Sequence, residues 1–307
     1  MRSSILFILL GVSSCLAQTG AKQETTNIDL NQSETATITP PQFWKEHWFE
    51  HNQELKLQAY NDDVAIYYDE DVDQSITWPL EFFTKTWSYI KKTYGDFGEE
   101  NRLYVILHEG KYGGGHPSVY RDESHDYRNV LDAGINSWSE KDPKKGLSIA
   151  VHEIGHIVEG ITNGLKYNPA WEIWKDSKWA EIFIYDVYKN TGETQFAQDL
   201  FKELQYQKDD FPKANTYWFK DWFYPVYSQY GESDVLADFY NLLDSHFPKN
   251  QEETRFSRRM NMGEFIHFWS GAAKHDLREL AQNAFGWNAE WESQLKNAKM
   301  TFPDVTY

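Results

Sequence analysis

The apolar positions of this chain follow two periods, one of two residues and one of about 3.6. Between residues 54 and 69, ELKLQAYNDDVAIYYD alternates apolar and polar positions around Asn61-Asp62-Asp63, which predicts a β-hairpin. Over residues 78–95, WPLEFFTKTWSYIKKTYG, the step lengthens. Leu80, Phe83, Trp87 and Ile90 fall three and four apart and Gly95 follows as a stop, so this stretch predicts a helix. RLYVILHE (102–109) reads as a short buried strand. KYGGGHPSVY (111–120) reads as a loop or bend leading to another strand, and NVLDAGINSW (129–138) as a further strand. The segment GLSIAVHEIGHIVEGITNG (146–164) returns to the helical period, with Leu147, Val151, Ile154, Val158 and Ile161 on one stripe. Asp142 suits its cap, Pro143 its first position and Asn163-Gly164 its end. Almost everything beyond it reads as helix, with breaks near Gly192, Pro212, Pro225, Pro248 and Gly286.

Strands mixed with helices, followed by helices alone, predict an α+β fold. An α+β lobe over 42–165 ends in the 146–164 helix, and a mostly helical lobe covers 166–307. A length of 307 residues suits one large domain or two lobes sharing a cleft. Ahead of the lobes, MRSSILFILLGVSSCLAQ has an early Arg, an apolar run and small residues, the layout of a signal peptide over 1–17 that is too short to span a bilayer. Two exits fit it: cleavage after Ala17, or lipidation of Cys15 in VSSC, which resembles a bacterial lipobox. Residues 18–41 are polar, without an apolar period, and read as a disordered tether. An exported protein is therefore expected, secreted, periplasmic or at the cell surface. With its one cysteine at position 15, its folded part has no disulfide.

Charge narrows the partners. Forty-seven acids against 30 bases give a net charge of −17, a field that repels phosphate backbones and anionic membranes, so nucleic acid is not an expected partner. The 13 Trp, 19 Tyr and 19 Phe are read first as core filling.

The candidate chemistry sits in HEIGH. His152 and His156 are four residues apart on a helix, about 40° from each other and off the apolar stripe, so one face presents two imidazoles able to share a cation. Glu153 projects about 100° from His152, beside such a cation, where it can take a proton from a metal-activated water. Mid-helix Gly155 costs about 1 kcal/mol relative to Ala and points to close packing there.

HEIGH on a helix, after a small sheet and before a helical lobe, resembles the zincin metallopeptidases over Leu103 to about Asp186. The resemblance implies a Zn²⁺ cofactor, a small mixed sheet and an active-site helix. A metzincin would need Gly at 159 and His at 162, where this chain has Glu159 and Thr162. The thermolysin-like (gluzincin) branch takes its third ligand from a second helix, and DSKWAEIFIYDVYKNTG (176–192) fits that role. Among Glu159, Glu172, Asp176, Glu181 and Asp186, the preferred ligand is Glu181 and the rival is Asp186, which falls on the stripe of Trp179, Ile182 and Phe183. Glu159 is nearly collinear with the histidines and is read as supporting them or solvated. The branch's histidine-orienting Asp falls here at Tyr185, so with Glu181 as ligand either Tyr185 or Asp186 is expected to hold an imidazole N–H.

The resemblance also implies an oxyanion donor from the downstream lobe, with Tyr185, Tyr227, Tyr230, His246 and His267 as candidates, and a substrate-binding edge strand, sought in Ala133, Gly134 and Asn136. The Gly-, His- and Asp-rich stretch 112–129 is read as a polar bend in preference to a calcium loop. His116 and His125 lack ligand spacing, so no second zinc site is expected. The expected function is an exported zinc metallopeptidase acting on peptide or protein through Glu153. The rivals are a non-catalytic binding protein on the same fold and a metal-dependent hydrolase of another substrate.

Overall fold

The computed structural model describes residues 38–142 and 146–307. The expected signal peptide, Cys15, Pro143 and the expected tether up to residue 37 lie outside the described residues. Residues 38–41, expected in the tether, instead lie against the sheet: the Ile38 carbonyl accepts from Arg102 Nη1 at 2.6 Å and the Pro41 carbonyl from Tyr67 Oη at 2.7 Å.

The fold is α+β. Six strands, β1 (Phe43–Lys45), β2 (Glu54–Tyr60), β3 (Val64–Tyr68), β4 (Leu103–Glu109), β5 (Gly114–Ser118) and β6 (Asn129–Ile135), form one sheet in the order β1-β2-β3-β4-β6-β5. The pairs β3–β4 and β4–β6 are parallel and the others antiparallel. The expected hairpin is β2–β3. Its turn closes on Asn61, whose Oδ1 accepts from the Asp63 and Val64 amides at 2.9 Å each.

Two sequence readings change here. The stretch read as a bend contains β5, which pairs with β6 and forms the sheet edge. Its Gly-Gly-His-Pro-Ser sequence carries no alternation because the strand is held by its backbone and not by a buried apolar face. Consequently β6, expected to supply the substrate-binding edge at Ala133, Gly134 and Asn136, lies between β4 and β5 with both sides occupied. Asn136 falls just beyond its end.

Period-two alternation gives the sheet two faces. On one, Val64, Ile66, Leu103, Val105, Leu107, Leu131 and Ala133 meet the main core, which includes α1 (Trp78–Tyr94) and α2 (Leu147–Ile161). On the other, Ala65, Tyr67, Tyr104, Ile106 and Val130 pack with Trp44 of β1, Leu55 and Leu57 of β2, and Trp48 from the turn between those strands. α2 begins after Gly146, four residues later than the Asp142 cap expected, and ends where Asn163 turns to φ 57°.

The remaining helices are α3 (Trp171–Trp174), α4 (Lys178–Asn190), α5 (Thr194–Leu204), α6 (Tyr224–Gln229), α7 (Ser233–His246), α8 (Met262–Ala273), α9 (Arg278–Phe285) and α10 (Ala289–Thr301). Pro225, expected as a break, instead sits in the first turn of α6, and a π-helical segment (Trp218–Phe223) runs directly into it. The core beneath α2 continues without interruption into α4, α7 and α8. Gly155 permits that continuity: a Cβ there would stand 3.0 Å from the Phe183 ring of α4.

Candidate metal centre and cleft

α2 presents His152, Glu153 and His156 beside the sheet edge. His156 is fixed from behind: its Nδ1 is 2.6 Å from Glu159 Oε2, and the other Glu159 oxygen accepts from Trp174 Nε1 at 2.7 Å. With Nδ1 carrying the hydrogen for the carboxylate, Nε2 is left as a lone pair. It is buried and has no hydrogen-bond partner. It points at Asp176, with Nε2 3.3 Å from Oδ1, while His152 Nε2 is 3.8 Å from Asp176 Oδ2. His152, His156 and Asp176 together can hold a metal ion. The orphaned Nε2 and the chemistry of two imidazoles and a carboxylate fit a transition-metal dication of the zinc type.

Asp176 owes its position to a short turn. α3 ends at Trp174, and the φ of 55° at the next residue, Lys175, swings the chain back so that the following carboxylate faces α2. The same α3 supplies Trp174 to Glu159 and sets the Trp171 ring 5.4 Å from that of His156. One four-residue helix thus braces one ligand and delivers another.

Burial in this site controls charge. It lowers the His152 pKa to about 4, with His156 acting in the same direction, so the imidazole is neutral and available as a ligand at pH 7. It raises Glu153 to about 7. The opposite direction holds for His156: burial disfavours its cation, but Glu159 outweighs burial and raises the pKa.

Glu153 lies against β5. At Gly115 a Cβ would come within 2.7 Å of Glu153 Cγ and 3.1 Å of its Oε1, so only glycine leaves this carboxylate its place. A cleft of about 450 Å³ is lined by Gly115, His116, Pro117, His152, Glu153, His156, Trp171 and Asp176. A second hollow of about 310 Å³, sharing Pro117, His156 and Trp171 with it, extends past Val119 and Tyr167 to Arg259.

Several expected site residues lie elsewhere. Glu181 does not join the histidines. Its Oε1 accepts from Lys178 Nζ at 2.7 Å, one turn earlier on α4, and Lys178 also pairs with Asp209 at 2.8 Å. A buried acid beside a lysine on its own helix is satisfied without metal. Asp186 is also absent from the cleft, accepting from Tyr89 Oη at 2.7 Å, Tyr227 Oη at 2.8 Å and Asn190 Nδ2 at 2.9 Å. Tyr185 packs on Phe201, Phe219, Tyr224 and Tyr227 and holds no imidazole. His267 is a core histidine between Tyr307 Oη and the Phe302 carbonyl, both at 3.0 Å, and Tyr230 stacks on His275. Neither lines the cleft. Asp176, one of the five acids that compete for the third ligand in the sequence, is the one set beside the histidines. The one signal for it was negative: Lys178 stands three residues before Glu181 and claims that acid.

His116 and His125 also differ from expectation. Their Nε2 atoms lie 3.1 Å apart, and His116 Nε2 is 3.4 Å from Asp132 Oδ2, so these two histidines and Asp132 form a group able to hold a metal. They meet on the sheet face opposite α2.

No protein-family model matches the chain, and no curated protein matches it. It is similar to a solved structure described as a functionally unknown conserved protein from Bacillus anthracis str. Ames, with a TM-score of 0.45 and 12% identity over 77% of this chain and 50% of that one. A mutant of such a protein from the same strain matches at TM-score 0.45 and 10% identity, over 78% of this chain and 51% of the other. The chain therefore spans about half the length of these two structures.

Proposed function

We propose that this chain is a zinc-dependent hydrolase, a metallopeptidase that takes an extended peptide against β5. The observation that carries the reading is the arrangement of Glu153. It stands next to His152 on α2, faces the same cleft as His152, His156 and Asp176, and is lodged against the backbone of the edge strand at Gly115. A zinc ion held by the three ligands would supply Lewis acidity, polarising a carbonyl and lowering the pKa of a water.

The chain's own groups do the rest. Glu153, raised to about 7 by burial, is suited both to accept a proton from water and to hand it to a leaving amine. Glu159 and Trp174 keep the His156 ring aimed into the cleft. β5 is an antiparallel edge strand, and its outer N–H and C=O groups suit a substrate added as a further strand. The adjoining hollow, with Trp171, Tyr167 and Arg259, suits side chains on one side of the cleaved bond.

The test is hydrolysis of a diverse peptide library by the zinc-loaded chain, beside Glu153→Gln. Chelator-sensitive cleavage that falls by about 10²- to 10⁴-fold in the variant, with zinc content unchanged, is expected. Undiminished cleavage in the variant overturns the role of Glu153. Peptide binding by the wild-type chain without cleavage overturns the hydrolase reading in favour of a binding protein.

A further inference from the structure

The reverse face of the sheet carries a second convergence of metal-ligating groups. Alternation along β4 and β6 turns His108 and Asp132 to the face away from α2, beside Ile106 and Val130. The turn after β1 brings Glu46 and His51 onto them. All four side chains are buried, His108 completely. Glu46, His51, His108 and Asp132 each present a ligand atom, all within 4.8 Å of one another.

Most hydrogen bonds around the group point outward; one, between His51 Nδ1 and Asp132 Oδ2 at 3.1 Å, joins two of its members. Glu46 Oε2 accepts from the Gln53 amide at 2.8 Å, and Asp132 Oδ2 accepts from Trp48 Nε1 at 3.0 Å. His108 Nδ1 is 2.8 Å from Asp69 Oδ2, a carboxylate behind the imidazole that sets its tautomer. The inner atoms, Glu46 Oε1, His108 Nε2 and Asp132 Oδ1, are buried without a hydrogen-bond partner. Yet they crowd together: His108 Nε2 is 2.9 Å from Glu46 Oε1 and 3.1 Å from Asp132 Oδ1, and His51 Nδ1 is 3.5 Å from Glu46 Oε1. A single proton on Nε2 can serve only one of these oxygens at a time, whereas a cation at the centre meets all of them. Three carboxylates converge here, Glu46, Asp69 and Asp132, and a dication at the centre would take the place of the imidazole protons that otherwise offset their charge.

We propose that Glu46, His51, His108 and Asp132 form a second divalent-metal site, a closed four-ligand zinc site on the sheet face opposite α2. Two imidazoles and two carboxylates suit zinc, and four protein ligands leave no position for substrate, so the site is structural. It clasps the turn after β1 to β4 and β6. Because Asp132 is paired with His116 of β5, it also braces the strand that carries Gly115 on its other face. The site stands independently of the proposed hydrolysis.

Zinc alone is the probe. His152→Gln/His156→Gln in the full chain removes the cleft site, and the purified, zinc-equilibrated protein is expected to retain one zinc per chain by elemental analysis. Adding His108→Gln or Asp132→Asn is expected to remove it. His125→Gln in the same background is expected to leave it. If the His152/His156 variant holds no zinc, the proposal is overturned. It is equally overturned if the retained zinc survives His108→Gln and Asp132→Asn, or leaves with His125→Gln. Should the triple variants fail to fold, cobalt(II) added to the His152/His156 variant decides. A strong visible absorption of four-coordinate cobalt supports the site, and the weak spectrum of the aquo ion contradicts it.

Discussion

Glu159 shows how much one buried acid can do from behind a candidate metal ligand. It is the only residue described that contacts both His156 and Trp174 through the two oxygens of one carboxylate, so it sets the tautomer of His156 and ties the ring to α3. Removing such a partner typically weakens metal affinity about 10- to 100-fold. Glu159→Gln is therefore expected to lose zinc from the cleft site at proportionately lower chelator concentration, read by competition with a chromogenic chelator. Unchanged affinity would show that Glu159 is only a core hydrogen-bond partner. Its place on α2 was readable in the sequence, but its partner was not, because Trp174 arrives from a separate helix.

At the scale of elements, α2 and β5 mark the two extremes of legibility. The helix announces itself through a stripe of apolar residues at steps of three and four, and the histidine spacing follows from that period alone. β5 has two glycines, a histidine and a proline where a strand usually shows alternating apolar residues, and its place at the edge depends on backbone pairing with β6. Asp176 is hidden for a related reason: its direction is set by the turn at Lys175, a tertiary feature with no spacing rule. The glycine that disguises the strand is what admits Glu153. Gly115→Ala is expected to keep zinc in the cleft while lowering hydrolysis by on the order of 100-fold, since displacing a reacting group by about 1 Å costs that much. Equal turnover in Gly115→Ala, measured at equal zinc content, would remove β5 from the account of the site.

At the largest scale, one aromatic-rich core joins the sheet side to the C-terminal helices among the described residues, and the buried Asp186 ties parts of it together. Asp186 on α4 accepts from Tyr89 of α1 and Tyr227 of α6. Burial raises its pKa from 3.8 to about 6, against the two tyrosine hydrogen bonds that favour its charge. The folded state thus holds a proton more tightly than the unfolded chain between these values. Stability contributed by the protonated acid is present at low pH and lost as pH rises towards 6, by up to about 3 kcal/mol. Asp186→Asn keeps a group able to meet both tyrosines and removes the titration. Denaturant unfolding is expected to show the variant gaining on the wild type as pH rises from 4 to 7. A difference that does not change with pH would contradict the shifted acid. Among the described residues no helix is long and apolar enough to cross a membrane.

The identity of the acid beside His152 and His156 decides the cleft site. Elemental zinc analysis of Asp176→Asn beside Glu181→Gln tests it directly. The geometry predicts that Asp176→Asn loses one zinc per chain relative to wild type. Glu181→Gln keeps the wild-type content, because it disturbs only Lys178 and Asp209. Loss of that zinc from Glu181→Gln with full retention in Asp176→Asn would contradict a site of His152, His156 and Asp176.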